Sequence, residues 1–241
     1  MFSDTITIFV LYDNKLYDNR LKTAWGFSCL LRLGKKAVLF DTGGDSYILL
    51  SNMERLGLNP KEIEVVVLSH IHGDHVGGLA GFLNENSNVT VHLPMSFPQR
   101  FKKEIESFKV EIKEVNKSEK IFDSVYILGE FGEVIKEQSL ILKTANGLLV
   151  VTGCAHPGLV NVVRKARELT ADEKVYLIAG GFHLVGTSPS KIKSIIDDFL
   201  RLGVKRIAPC HCTGEKAMAL FKKYYGNNYI ECGAGTKILI Q

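Results

Sequence analysis

Six of the seven histidines in this 241-residue chain follow directly on short apolar runs, and three of them crowd into one six-residue stretch. That stretch is His70-Ile-His72-Gly-Asp74-His75, preceded by Val65-Val-Val-Leu68-Ser69. In an extended segment residues two apart face the same side, so His70 and His72 can share one cation. Gly73 permits a sharp turn, after which Asp74 and His75 open a helix and reach a second cation nearby. Three imidazoles and a carboxylate suit zinc, iron or manganese and leave a coordination position open for water. The chemistry implied is metal-assisted attack by a bound water or hydroxide on an electrophilic carbonyl or phosphorus.

Four further apolar runs end in groups able to bind or orient a metal. Ala37–Phe40 leads into Asp41-Thr-Gly-Gly, and Leu148–Val151 into Thr152-Gly-Cys154-Ala-His156-Pro-Gly. Val175–Ala179 leads into Gly180-Gly-Phe-His183, and Val204–Ala208 into Pro209-Cys210-His211-Cys212. Open sheets collect ligands at the carboxyl ends of their strands, because the loops there share one edge. Cys154 reads either as a thiolate ligand or as a small buried residue in a tight turn. His183 reads as a ligand, a contact to a substrate phosphate, or a general acid for the leaving group. Cys210 and Cys212 flank His211 and point away from it if the segment is extended, which assigns them to packing. His92 lies inside a strand and is read as structural.

The elements that must position these groups recur as a unit of β-branched run, turn and helical pattern. Strands are expected at Thr5–Val10, Phe27–Leu33, Ala37–Phe40, Val65–Leu68, Val89–His92, Leu140–Lys143, Leu148–Val151, Val175–Ala179, Val204–Ala208 and Lys237–Ile240. Gly34-Lys35 and Asn146-Gly147 mark hairpin turns between paired runs. Helices are expected at about Ser46–Leu56, His75–Leu83, Phe97–Phe108, Asn161–Leu169, Ser190–Leu202 and Gly214–Tyr224, the fifth with Ser188 as N-cap and Pro189 at its first position. Hairpins mixed with strand–loop–helix units predict an α/β protein of two mixed sheets with helices on their outer faces. The order falls into halves, near 1–92 and 126–241, of one domain spanning 1–241. An insert near 94–125 carries an apolar stripe (Phe97, Phe101, Ile105, Phe108) that either packs on the domain or roofs the site as a lid. Trp25, Tyr12 and Tyr17 are candidates for the mouth of the same site. The helix opening at Thr213-Gly-Glu-Lys216 either holds a phosphate at its N-terminus or is simply capped.

Composition excludes the non-globular classes. Hydrophobic residues at 46% and charged residues at 23% rule out a disordered, collagenous or coiled-coil chain. Lys and Arg number 30 against 26 Asp and Glu, a net +4 that does not call for nucleic acid and is compatible with a phosphorylated small molecule. No apolar stretch approaches the roughly 20 residues of a membrane span. Five cysteines, an odd number, with Asp4 where a secretory leader needs basic charge, point to the cytoplasm. Oligomeric state is not legible.

His70-x-His72-x-Asp74-His75-x-Gly77-Gly78, preceded by Asp41-Thr-Gly, resembles the metallo-β-lactamase superfamily of metal-dependent hydrolases over nearly the whole chain. The segments around Cys154, His183 and His211 are similar to its dihydropterin ribofuranosyl-aminobenzene-phosphate synthase-like branch. The resemblance implies a four-layer αββα sandwich with one or two ions, zinc foremost and iron or manganese next, at the edge between the sheets. It carries His70, His72, Asp74 and His75 over as ligands, His211 as the closing ligand, and Asp41 as the acid supporting the site. The family's bridging Asp is replaced by Cys154, and no histidine lies between His92 and His156. His156 is therefore expected to supply the missing imidazole. Catalytic roles fall to Asp74, His183 and Asp41. The function expected is metal-assisted hydrolysis, with a phosphoester or related small phosphorylated substrate favoured by the mild basic charge and the possible anion site at Thr213-Gly-Glu-Lys216. The alternatives are an iron-dependent redox enzyme on the same fold, a lactone or thioester hydrolase, and a metal that serves only stability or a partner contact.

Overall fold

The alternation of apolar runs with turn residues builds two compact units, each with its own mixed sheet, in this computed structural model. The structure describes residues 5–171 and 174–240; Asp4, read above against a leader, lies outside them.

In the first unit β1 (Ile6–Tyr12), β2 (Ser28–Leu33) and β3 (Lys36–Phe40) run antiparallel. The Gly34-Lys35 turn joins the second pair, with Gly34 at φ +58. Then β4 (Val65–Val67), β5 (Thr90–Pro94) and β6 (Glu111–Val115) extend the sheet in parallel from β3. The second unit opens with the antiparallel run β7 (Glu119–Phe122), β8 (Val125–Ile127), β9 (Leu140–Thr144) and β10 (Gly147–Thr152). It continues in parallel through β11 (Val175–Gly181) and β12 (Val204–Cys210). The chain then returns to the first sheet, where β13 (Lys237–Ile240) pairs antiparallel with β1. Parallel strands therefore end together in each sheet, at β3 and β4 in one and at β10, β11 and β12 in the other. Those ends carry the loops read above as chemical.

Helices cover each sheet through regularly spaced apolar residues. In the first unit α1 (Ser46–Arg55), capped by the Asp45 carboxylate accepting from the Ile48 N–H, buries Leu49 and Met53. The short α2 (Gly73–Val76) and α3 (Leu79–Glu85) follow, with Leu79, Phe82 and Leu83 buried. These join Leu30, Leu39, Val66, Leu68 and Val91 in one core, where each fully buried Leu or Phe contributes about 1.5–3 kcal/mol. In the second unit α5 (Leu159–Thr170), α6 (Pro189–Arg201) and α7 (Glu215–Tyr225) bury the sets Val162/Val163/Ala166, Ile192/Ile196/Phe199 and Ala217/Phe221/Tyr225. Spacings of three, four, seven and eight recur in these sets, as on one helical face. Phe182 packs among them, its ring 5.5 Å from Phe221 and 6.3 Å from Phe199, and so anchors the loop that presents His183. Ser188 caps α6 and Pro189 opens it, as expected.

Two differences from the sequence reading have physical causes. The helix expected over His75–Leu83 is broken into α2 and α3 at Gly77-Gly78, because both glycines press on backbone of the Asp41–Gly44 loop. Residues 94–125 add more than a helix: α4 (Gln99–Glu106) packs on β6, and β6, β7 and β8 extend the two sheets. Phe97 and Ile105 of the expected stripe are buried in the first core. The missed strands are short, and Glu-Ile-Lys-Glu-Val and Glu-Lys-Ile-Phe form the outer edges. Edge strands carry charge and lack clean alternation.

Candidate metal centre

Asp41 leaves β3 in a left-handed conformation (φ +57) that turns its side chain toward the end of β4. It is fully buried and accepts three hydrogen bonds: from the Ser69 N–H at 2.6 Å, the Ser69 hydroxyl at 2.7 Å and the His75 Nδ1–H at 2.7 Å. With Nδ1 bound to the carboxylate, His75 is left with Nε2 as its ligand atom, 3.7 Å from Asp74 Oδ2. Ser69 does the same for His70, its Oγ lying 2.8 Å from Nδ1. His70 Nε2 then lies 3.1 Å from His72 Nδ1. Two nitrogens on one tetrahedral zinc, each at 2.0–2.1 Å, are roughly 3.3 Å apart. The pair thus stands at the separation of two ligands on one cation. The donor set suits a divalent cation, and the structure brings His70, His72, Asp74, His75 and Asp41 together.

The Thr-Gly-Gly and Gly-Gly parts of the motif have a steric function. Thr42 donates from both N–H (2.7 Å) and Oγ1 (3.0 Å) to the His75 carbonyl, and the Gly78 N–H donates to the Gly43 carbonyl at 3.1 Å. A Cβ on Gly78 would meet the Thr42 carbonyl oxygen, and one on Gly77 the Gly44 carbonyl oxygen, both inside any real contact distance. Gly78→Ala is expected to cost roughly 1–3 kcal/mol, the cost of overpacking a rigid contact. A denaturation midpoint equal to that of the wild type would refute this account.

The second unit gathers its own set. The turn after β10 holds Cys154, Ala155 and His156 around the buried Glu137. Glu137 Oε1 accepts from the Cys154 and Ala155 N–H groups at 2.9 and 2.8 Å, and Oε2 from the His156 N–H at 2.8 Å. Three N–H groups converging on one carboxylate hold Ala155 at φ +59, a region that costs an alanine about 1 kcal/mol or more. The His156 and His183 rings meet at 4.3 Å, tilted by 51°, and His183 is exposed. After β12 the backbone makes a single helical turn at His211–Thr213, with His211 at φ +50. Thr213 is committed to this turn, accepting from the Phe182 N–H and donating to the Cys210 carbonyl.

That turn departs from the extended segment expected around His211 and carries Cys212 inward. Cys212 Sγ lies 3.2 Å from Cys154 Sγ and accepts the His183 N–H at 3.2 Å. Hydrogen bonding from the Cys154 thiol, joined by His183, holds Cys212 well below the ordinary thiol range despite its burial. The same contact with Cys212 raises His183 above the ordinary imidazole value, burial opposing it. Sequence reasoning missed Cys212 and Glu137. A usable signal was present for Cys212, since it shares a strand end with His211, and none for Glu137. Cys210 is buried, and His92 is buried within β5. Of the seven non-glycine residues with positive φ among those described, Asp41, Ala155, His183 and His211 all belong to these loops. Sparsely populated backbone conformations of this kind cluster at functional loops.

The sequence matches the Metallo-beta-lactamase superfamily over residues 26–211. It is 32% identical to the 7,8-dihydropterin-6-methyl-4-(beta-D-ribofuranosyl)-aminobenzene-5'-phosphate synthase of Methanocaldococcus jannaschii, with 96% of each chain covered. A shorter match, 33% identical over 40% of this chain and 34% of the other, is to the ribonuclease Z of Nanoarchaeum equitans. Among solved structures, that of Tm1679, a metal-dependent hydrolase of the beta-lactamase superfamily, superposes with a TM-score of 0.80 at 29% identity, covering 97% of this chain and 98% of that one. The α/β architecture of two mixed sheets with helices is that fold. No helix among the described residues is long and apolar enough to cross a membrane.

Proposed function

The chain belongs to the metallo-β-lactamase superfamily, and on that footing we propose that it is a metal-dependent hydrolase of a phosphoester or related small phosphorylated substrate. The observation that carries the reading is the 3.1 Å separation of His70 Nε2 and His72 Nδ1, with Ser69 and Asp41 fixing the neighbouring rings. His70, His72, Asp74 and His75 are the proposed first ligands; His211, His156 and Cys154 are the proposed remainder. A divalent cation held there, zinc foremost and iron or manganese next, would supply Lewis acidity and would lower the pKa of a water toward neutral. Asp41 keeps the proton on His75 Nδ1 and so keeps Nε2 a donor of electrons. Asp74 is proposed to bind or to accept a proton beside His75, and His183 to reach the substrate from its solvent-facing ring. No protein nucleophile is needed.

The preference for phosphate rests on the two relatives. One is named for a 5'-phosphate product, the other for cleavage of RNA, whose backbone is a phosphodiester. Elemental analysis of protein purified without added metal, followed by phosphodiester, phosphomonoester, lactone and thioester assays, tests the proposal. Stoichiometric zinc and phosphoester turnover are expected, and His72→Ala should lose the turnover. Iron with a coloured, oxygen-sensitive protein supports the redox alternative instead. Turnover of none of the four classes by the metal-loaded protein sinks the hydrolase reading.

A further inference from the structure

We propose that Cys154, Cys212 and His183, all from the second unit, form a thiolate–imidazole site for a thiophilic divalent cation such as zinc or cadmium. Both sulfurs and a ring nitrogen of His183 lie within 4.8 Å of one another. The two cysteines are buried and the histidine ring is open, so the set is closed behind and open in front. Three protein ligands with a fourth position facing solvent is the pattern of a zinc ion that keeps a water.

The sulfur separation is nearer to that of two thiolates on one metal than to a disulfide. At 3.2 Å the atoms must open by about 0.6 Å to reach the roughly 3.8 Å edge of a tetrahedron with zinc–sulfur bonds near 2.3 Å. They must close by more than 1 Å to form a bond near 2.05 Å. The surroundings favour the larger separation too. The His183 N–H already donates to Cys212 Sγ, as donors around metal thiolates do. Gly181 lies against the same sulfur, where a Cβ would come within 2.8 Å, so the backbone gives Cys212 space that any side chain would remove. Glu137 fixes the backbone of Cys154 from the far side of the turn. Each thiol that coordinates releases its proton to water, and no electron is transferred.

The inference takes Cys154 as a ligand of this site rather than of the ion proposed at the His70–His75 cluster. It takes His183 as a ligand and leaves it no role as a free acid. Full-length protein, stripped of metal and kept reduced under argon, is titrated with cadmium. A thiolate-to-cadmium charge-transfer band saturating at one equivalent is expected. It should be lost in both Cys154→Ser and Cys212→Ser and kept in His72→Ala, with affinity reduced at least about tenfold in His183→Ala. Cadmium NMR of the wild type reads the donor set without any substitution, so failure of a variant to fold does not end the test. A resonance in the two-thiolate range is expected. The proposal is overturned by an absent band, a band unaffected by Cys212→Ser, or a band lost in His72→Ala. It is equally overturned by a resonance typical of nitrogen and oxygen ligands alone, or by a Cys154–Cys212 disulfide in protein prepared under argon.

Discussion

Asp41→Asn is expected to lower divalent-metal affinity 10–100-fold while leaving most of the folding stability in place. The carboxylate accepts from three donors at 2.6–2.7 Å in a site with no solvent access. Asparagine tolerates the left-handed backbone at φ +57 and keeps one oxygen for the Ser69 N–H. Its amide group, however, offers hydrogens where Ser69 Oγ–H and His75 Nδ1–H already donate. The cheapest relief is for His75 to move its proton to Nε2 or turn its ring, and either removes it from the metal. Asp41→Ala adds a structural loss, because buried donors left without an acceptor cost about 1–3 kcal/mol each. The two variants therefore separate positioning from stability. Metal affinity is read by chelator competition and stability by urea melts of the metal-free proteins. Unchanged affinity in Asp41→Asn would show that the carboxylate does not orient His75.

Glu137→Ala is expected to destabilise the metal-free protein by about 3 kcal/mol or more. Three N–H groups, of Cys154, Ala155 and His156, lose their acceptor in a buried turn. Without the carboxylate, Ala155 has no reason to hold φ +59, and the turn relaxes toward an ordinary conformation. Glu137→Gln keeps the oxygen that serves Cys154 and Ala155 but sets an NH2 against the His156 N–H. The expected cost is about 1–3 kcal/mol, with the displacement falling on His156. Denaturant midpoints of the two variants order the effects as Ala below Gln below wild type. Equal midpoints for Glu137→Ala and wild type would mean that the turn forms without its carboxylate.

How much of this was legible depended on whether the partners were side chains close in sequence. The first cluster could be read because Ser69 to His75 form one run after an apolar strand, and Asp41 ends the neighbouring one. The β2–β3 and β9–β10 pairings followed from the Gly34-Lys35 and Asn146-Gly147 turns between paired runs. Glu137 was illegible because it acts on backbone N–H groups 17–19 residues away, which leave no mark in side-chain pattern. Cys212 was misplaced because an extended strand end was assumed, and one turn at His211–Thr213 reverses which way its neighbours face. The edge strands escaped because Glu111–Val115 and Glu119–Phe122 carry charge where an interior strand carries valine.

The pairing of β13 with β1 has a consequence for how the chain is made. Translation delivers residues 237–240 only after the whole of 117–232, so the second unit is continuous and can finish folding during synthesis. The first unit must wait, with the Ile6–Phe9 edge exposed on the nascent chain for the time taken to add more than two hundred residues. An apolar edge left open that long is a template for pairing with another chain. A ribosome stalled before Lys237 would therefore carry a complete second unit and a first sheet that still lacks its β13 strand.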